Sequence, residues 1–449
     1  MVPGEGGRAL SASILTVSMF GCLFVGLAFG YPVAFVMGGL GFIFGMIGWG
    51  PDCILLFGHR VLDVMNNYVL VAVPLFILMA QFLTQSGVAE GLFSALRYLM
   101  GPLRGGLALA VVAVCTVFAA CTGIVGASIV TMGLLSLPML LRHGYDKRMS
   151  LGVLCAGGAL GIIIAPSIML VIMGAQAAMS VGKLFMAALF PGLLLSVLYS
   201  CYVLIRCWRD PRLGPPMPAE ERRGMPLRKT VVQSLLNLVP PAVLILAVLG
   251  SIFFGIATPT EAAGVGAFVA FLEVLAYRKF TWGGFITALQ ETGKITSMAL
   301  VILLGATCFT AVFLGCGGGD AVAALMLGAG LGRWGIFAIM MLIIFILGMF
   351  IDWLPIIMIT FPVFLPIADV LGFDRLWFVT TIAVILQAGF LTPPFGMALF
   401  YLKGIAPPEV TIEDIYRGAM PFVGLILVAL VLCVVFPQLA LWLPAKMIR

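Results

Sequence analysis

Two glycine–proline breaks interrupt long apolar runs: Gly161-Ile162-Ile163-Ile164-Ala165-Pro166 and Gly389-Phe390-Leu391-Thr392-Pro393-Pro394. The flanks of each are hydrophobic enough to lie in lipid. A helix broken at that depth leaves N–H and C=O groups that hydrocarbon cannot satisfy, so the break must be buried in protein or line a watery cavity. A matched pair, one in each half of a chain, points to the binding site of a carrier.

The rest of the chain agrees with a membrane setting. It is 63% hydrophobic and 9% charged over 449 residues, with a mean hydropathy of +1.21. Apolar runs of spanning length are expected near 11–29, 32–50, 69–86, 150–179, 183–205, 232–255, 262–277, 294–314, 376–401 and 417–443. The first of these is read as a retained span. Two further stretches, 105–141 and 335–366, are too long for one span, and each carries a polar or Gly/Pro centre. One centre is Thr122–Ser128 and the other Gly348–Pro355. Their halves are short for full crossings, so each stretch is expected to be a re-entrant hairpin.

Loop charges orient the chain. With the first hairpin opening to the cytoplasm, 17 of the 24 basic residues fall on the cytoplasmic side, seven of them in loop 206–229. That loop reads as a linker between two halves. The halves repeat: Pro32 returns as Pro259 at an offset of 227, and Pro138, Gly144, Gly161 and Pro166 return as Pro366, Gly372, Gly389 and Pro394 at 228. On this topology the repeats are inverted, the plan of alternating-access carriers. The expected organisation is a first repeat over 1–205, a linker over 206–231 and a second repeat over 232–449. Segments 51–66 and 280–292 are too polar to span and are expected to be amphipathic arm helices at the interface.

Enzyme signatures are missing. Only two histidines occur, and there is no HExxH, nucleophile elbow or P-loop. The ten cysteines lie mostly in apolar runs and form no CxxC or Cys/His cluster. The hairpin centres instead supply what a hard cation such as Na⁺ needs, namely small residues that let carbonyls turn inward, and hydroxyls. A first candidate sodium site combines Thr122, Gly123, Gly126, Ser128, Gly161, Pro166 and Ser167. A second combines Gly348, Asp352, Gly389, Thr392 and Pro393. Asp352 reads equally as an intramembrane functional acid and as the cap of the following half-helix. Ser128, Ser167, Thr392 and Phe395 are substrate-cavity candidates, because half-helix N-termini there favour a carboxylate. Glu261 reads as a helix-start residue, Glu273 as an interfacial one, and Gln81 and Gln387 as interhelical glue. No mid-membrane Arg or Lys is available to bind an anion.

These motifs together resemble one family, the large membrane subunit (DctM-like, or M subunit) of tripartite ATP-independent periplasmic, or TRAP, transporters. The resemblance is carried by Gly30–Phe35, Ser86–Glu90, Leu103–Leu107, Gly123–Ser128, Gly144–Asp146, Gly161–Ser167, Pro259–Ala263, Gly348–Pro355 and Leu391–Gly396. It implies an all-α polytopic fold: an inverted-repeat elevator carrier of the wider ion-transporter superfamily, with two re-entrant hairpins and interfacial arms. It also implies Na⁺ as the coupling ion and an organic acid as the substrate. The acid would be delivered by a periplasmic substrate-binding protein, and a small four-helix membrane subunit would complete the complex in the bacterial inner membrane. The family's sodium ligands lie at hairpin tips and the facing breaks. Two departures stand out: the usual Ser-Gly-Ser tip is Thr122-Gly123-Ile124 here, one hydroxyl fewer, and the usual Pro-Pro-Ser break is Ala165-Pro166-Ser167. The alternatives are a stand-alone ion-coupled carboxylate transporter of the same superfamily, and a channel or scaffold without coupled transport.

Overall fold

The computed structural model describes residues 5–218, 221 and 227–447. Arg222, Arg223 and Arg449, counted above among the loop charges, lie outside the described residues. The described chain is helical throughout, and ten of its helical stretches are long and apolar enough to cross a membrane. In chain order the first half holds α1 (Glu5–Ala28), α2 (Val33–Trp49), α3 (Cys53–Met65), α4 (Ala72–Ser86) and α5 (Val88–Met100). It continues with α6 (Gly106–Thr122), α7 (Val125–Arg142), α8 (Lys147–Ala159), α9 (Ile168–Gln176) and α10 (Val181–Arg209). The second half opens with α11 (Leu227–Ile245), which runs on through a π turn, Leu246–Gly250, to Phe253. Then come α12 (Pro259–Ala276), α13 (Trp282–Gly315), α14 (Gly318–Gly328), α15 (Arg333–Phe350), α16 (Trp353–Val370), α17 (Arg375–Phe390), α18 (Met397–Ile405), α19 (Ile412–Val435) and the short α20 (Gln438–Leu441).

Local chemistry explains the matching punctuation of the halves. Gly144 and Gly372 both take positive φ after a helix, 73° and 67°, where a side chain would be strained. Two residues later, Asp146 and Asp374 accept from the backbone N–H of Met149 and Trp377 at 2.8 and 2.9 Å, and so start α8 and α17. Thr258 and Glu261 form a reciprocal capping box at the start of α12, the helix-start role read for Glu261.

Small residues set the closest crossings. A Cβ on Gly305 of α13 would overlap the Ala34 carbonyl of α2, and one on Gly152 of α8 would overlap the Gly418 carbonyl of α19. The halves pack crosswise: α12 lies along α4 and α13 along α2, while α8 meets α19 and α17 meets α10. The segment after each break also crosses over, with α18 on α7 and α9 on α16.

Several expectations need correction. The proposed second arm, 280–292, is no separate helix, because it is the first part of the 34-residue α13. At 1.5 Å per residue α13 is about 51 Å long, well beyond a hydrocarbon core of about 30 Å. The first arm, α3, folds back on α2. Phe42 and Phe57 have ring centroids 6.3 Å apart, whereas one straight helix would hold them about 22 Å apart. The reversal falls at Gly50-Pro51-Asp52. Two short helices, α5 and α14, were not anticipated, and the last span stops at Val435 instead of reaching 443.

The linker is partly docked. Gly105 N–H donates to the Gly214 carbonyl, Asp146 N–H to Leu213 and Met217 N–H to Gly101, each at 2.9 Å. These bonds clasp the bases of α6 and α8. At the same place Leu107 N–H donates to the Tyr145 hydroxyl at 3.0 Å, and burial pushes that phenol up to about 12.

Candidate functional site

The stretch 105–141 folds as two helices, α6 and α7, that pack on each other and are joined by Gly123-Ile124. The stretch 335–366 gives α15 and α16, joined at Ile351-Asp352. Each tip meets the glycine–proline break of its own half. Gly123 (φ 63°) lies against Pro166 and Ser167: a Cβ on it would sit 2.8 Å from the Pro166 carbonyl oxygen and 3.1 Å from Ser167 Cα. In the second half Phe395 N–H donates to the Met349 carbonyl at 3.1 Å, which ties the break to its tip.

The first meeting point is rich in neutral oxygen. Thr122 Oγ1 and Ser128 Oγ are 2.9 Å apart, a contact in which either can donate, and each lies 3.0 Å from a helix carbonyl, of Phe118 and Ile124 respectively, so the two protons are shared among the three contacts. Ser167 Oγ donates to the Ile162 carbonyl at 2.6 Å. Gly161 stands beside the Ile124 carbonyl and Ser128 Oγ. All three hydroxyl residues are fully buried. Six of the seven residues named for a first ion site therefore converge. Gly126 does not; it faces the Tyr401 ring, which a Cβ there would meet at 3.1 Å.

The second meeting point is leaner. Gly348 and Gly389 touch backbone to backbone. Thr392 Oγ1 donates to the Ala388 carbonyl at 2.7 Å. Asp352 accepts from Trp353 N–H at 2.9 Å and so caps α16. Among the described residues no group of three His, Cys, Asp or Glu side chains is placed to hold a metal. The oxygens gathered at the first point are hydroxyls and carbonyls, a donor set for a hard cation.

Both hairpin tips open on one shared cavity of about 460 Å³. The first half contributes Gly123–Ala127, Val130, Thr131, Ile162 and Ile168, and the second contributes Asp352–Leu354, Phe390, Met397 and Tyr401. The remaining wall comes from two long helices, with Ile77, Gln81 and Thr84 of α4 facing Ile295, Met298, Ala299 and Ile302 of α13. Its size is that of a small-molecule site. The first turns of α7 and α16 both border it. The α16 start is capped by Asp352, while the α7 start follows Ile124, whose side chain caps nothing.

This geometry revises the sequence reading. None of Ser128, Ser167, Thr392 and Phe395 lines the shared cavity; the three hydroxyls are turned onto nearby carbonyls. Gln81 lines the cavity and does not act as interhelical glue. Gln387 is fully buried, yet neither end of its amide has a hydrogen-bond partner, so it glues nothing. Glu273, in the last turn of α12, is 7% exposed, and both carboxylate oxygens lack a partner. Thr84, Trp353 and Tyr401 were missed. Their signal is tertiary, since only the meeting of four helices makes them neighbours.

Comparison with known proteins fits this arrangement. The profile of the family described as "Tripartite ATP-independent periplasmic transporter, DctM component" matches residues 20–439. The chain is 33% identical over 400 residues to the C4-dicarboxylate TRAP transporter large permease protein DctM of Pseudomonas aeruginosa, covering 88% of this chain and 91% of that one. It is 29% identical over 425 residues to the isethionate TRAP transporter permease protein DctMQ of Oleidesulfovibrio alaskensis, covering 94% of this chain and 65% of that one. Among solved structures, the Alcanivorax borkumensis YdaH transporter superposes with a TM-score of 0.66 at 14% identity, over 93% of this chain and 98% of that one. This last likeness is one of fold.

Proposed function

The chain belongs to the DctM component family of tripartite ATP-independent periplasmic transporters, and from that premise we propose that it is the large permease subunit of a sodium-driven importer of small organic acids. It is a multi-pass membrane transport protein; the bacterial inner membrane is the proposed location. The observation that carries the reading is the single cavity bordered by both hairpin tips, both breaks and the α4–α13 wall. A carrier must expose one site to two sides in turn, and a site shared by two inverted halves suits that task.

In this reading the Thr122, Ser128 and Ser167 hydroxyls, with the Ile124 and Pro166 carbonyls, hold one sodium ion beside the first tip. Gly161 and Gly123 leave room for it. Gly348, Gly389, Thr392 and Pro393 form the second site, with Asp352 as its charged neighbour. Occupied sites brace each tip against its break and complete the cavity floor, so ion binding favours substrate binding through shared structure. The hairpins and breaks then slide as one body along α4 and α13. A periplasmic binding protein delivers the acid, and a small four-helix subunit shields the apolar outer face; the fused DctMQ name of the isethionate relative supports such a partner.

The test is uptake of labelled organic acids into proteoliposomes holding this chain, its co-encoded small subunit and the loaded binding protein. An inward sodium gradient should raise initial uptake at least about tenfold. Uptake that survives collapse of the gradient unchanged sinks the coupling. Uptake without either partner favours a stand-alone carrier.

A further inference from the structure

The second hairpin is joined to the α13 wall by a hydrogen bond that its own proline makes available. In a continuous helix the Met358 carbonyl of α16 would accept from the N–H of residue 362, but that residue is a proline and has none. Thr310 of α13 takes the vacant place, its Oγ1 donating to the Met358 carbonyl at 2.9 Å in a buried setting. Resting on the sliding reading above, we propose that this pair is a latch. It holds the second hairpin at one register on α13 and must open for each transport step.

Neighbouring hydroxyls behave differently. Thr307 Oγ1 and Thr360 Oγ1 donate to the Leu303 and Ile356 carbonyls of their own helices, both at 2.7 Å, as threonines within helices commonly do. Among the described residues, Thr310 supplies the one side-chain hydrogen bond that runs from α4 or α13 to either hairpin. The contact beyond it is apolar: a gap of about 330 Å³ has Phe20, Phe313 and Val322 on one side and Ile343, Leu347 and Val363 on the other. Apolar contact is non-directional and fixes no register, whereas a hydrogen bond does. When the bond opens, Thr310 can turn back onto its own helix. The Met358 carbonyl has no helical N–H to return to, and among apolar side chains a bare carbonyl is costly. The device belongs to one hairpin. Pro366 has its match in Pro138 at the offset of 228, whereas the position matching Pro362 is Leu134.

The experiment uses the full chain with its small subunit in nanodiscs. Spin labels are attached through Trp282→Cys on α13 and Val370→Cys on α16, both exposed positions, after the exposed Cys22 and Cys201 are changed to serine. Distances between the labels, measured by double electron–electron resonance in sodium and in potassium buffer, report where the hairpin stands. Thr310→Val should move the ratio of registers away from the latched one about tenfold, while Thr310→Ser and Thr307→Val keep the parent's ratio. Pro362→Ala gives the Met358 carbonyl a helical N–H and should act in the same direction. Adding Thr310→Val to it then shifts the ratio by less than about twofold. Two registers whose ratio Thr310→Val leaves unmoved, or shifts that multiply in the double variant, overturn the latch and leave the sliding reading standing. A single distance shared by the parent and every variant in both buffers overturns both.

Discussion

Gly348 and Gly389 touch across the second hairpin and its break: a Cβ built on Gly348 would stand 3.0 Å from Gly389 Cα, and one built on Gly389 only 2.7 Å from Gly348 Cα. A real Cβ does not come within 2.7 Å of a backbone atom, so at Gly389 the two segments meet with room for a hydrogen and no more.

Gly389→Ala should therefore wedge the break from the tip. Overpacking of this kind costs about 1–3 kcal/mol. Sodium-driven uptake should fall at least about tenfold, with a lower melting temperature. Gly404→Ala, where nothing stands within 4 Å of the added carbon, is the control. Equal uptake by the two variants would show that the contact does not matter.

The hydroxyl pair Thr122 and Ser128 offers a cleaner probe of ion binding. Thr122→Val and Ser128→Ala each remove one oxygen from the first cluster without a change of charge. Either should raise the sodium concentration for half-maximal uptake about tenfold, the loss of about 1.4 kcal/mol of binding. Ser136→Ala removes a hydroxyl from the same helix that donates only to the Met132 carbonyl, and its sodium curve should not move. Sodium curves for all three that superimpose on the parent's would remove these oxygens from the ion site.

Asp352 can be split into its two roles by substitution. Asparagine keeps an oxygen for the Trp353 N–H and loses the charge, whereas alanine loses both. Asp352→Asn should melt within about 0.5 kcal/mol of the parent, and Asp352→Ala about 1 kcal/mol below it. If the charge serves the second ion site, both variants lose sodium dependence to the same degree. If capping is the whole role, Asp352→Asn retains it.

The docked linker makes a prediction about stability alone. Gly105 has a φ of 78°, and a Cβ on it would meet Cys207 Sγ at 2.8 Å. Gly105→Ala should cost about 1–3 kcal/mol from backbone strain and crowding. Limited proteolysis should then cut within 210–217 faster than in the parent. An unchanged rate would mean that the clasp is dispensable.

Local chemistry made much of the architecture legible. Helix starts at Asp146, Thr258 and Asp374 follow from short-range bonding, and both breaks follow from glycine and proline in apolar runs. The short helix α5 was also within reach: Val88, Ala89, Leu92, Phe93 and Leu96 recur at helical spacing, but the segment is too brief to register as a span. The merged α13 was hidden for a different reason. Its early part, with Gln290, Glu291 and Lys294, looks interfacial, while helical hydrogen bonding carries on through it without a break. The cavity lay furthest from the sequence. Gln81, Met298 and Tyr401 sit on separate helices in ordinary apolar contexts, and only packing gives them a common purpose.

The crosswise packing carries a consequence of its own. α9 rests on α16 and α18 on α7, so the helix after the break of each half finishes the hairpin of the other. Neither half closes on itself. Severed in the linker, each would be left with an open flank shaped for its counterpart, and the smallest unit able to stand alone in a bilayer is the clasped pair.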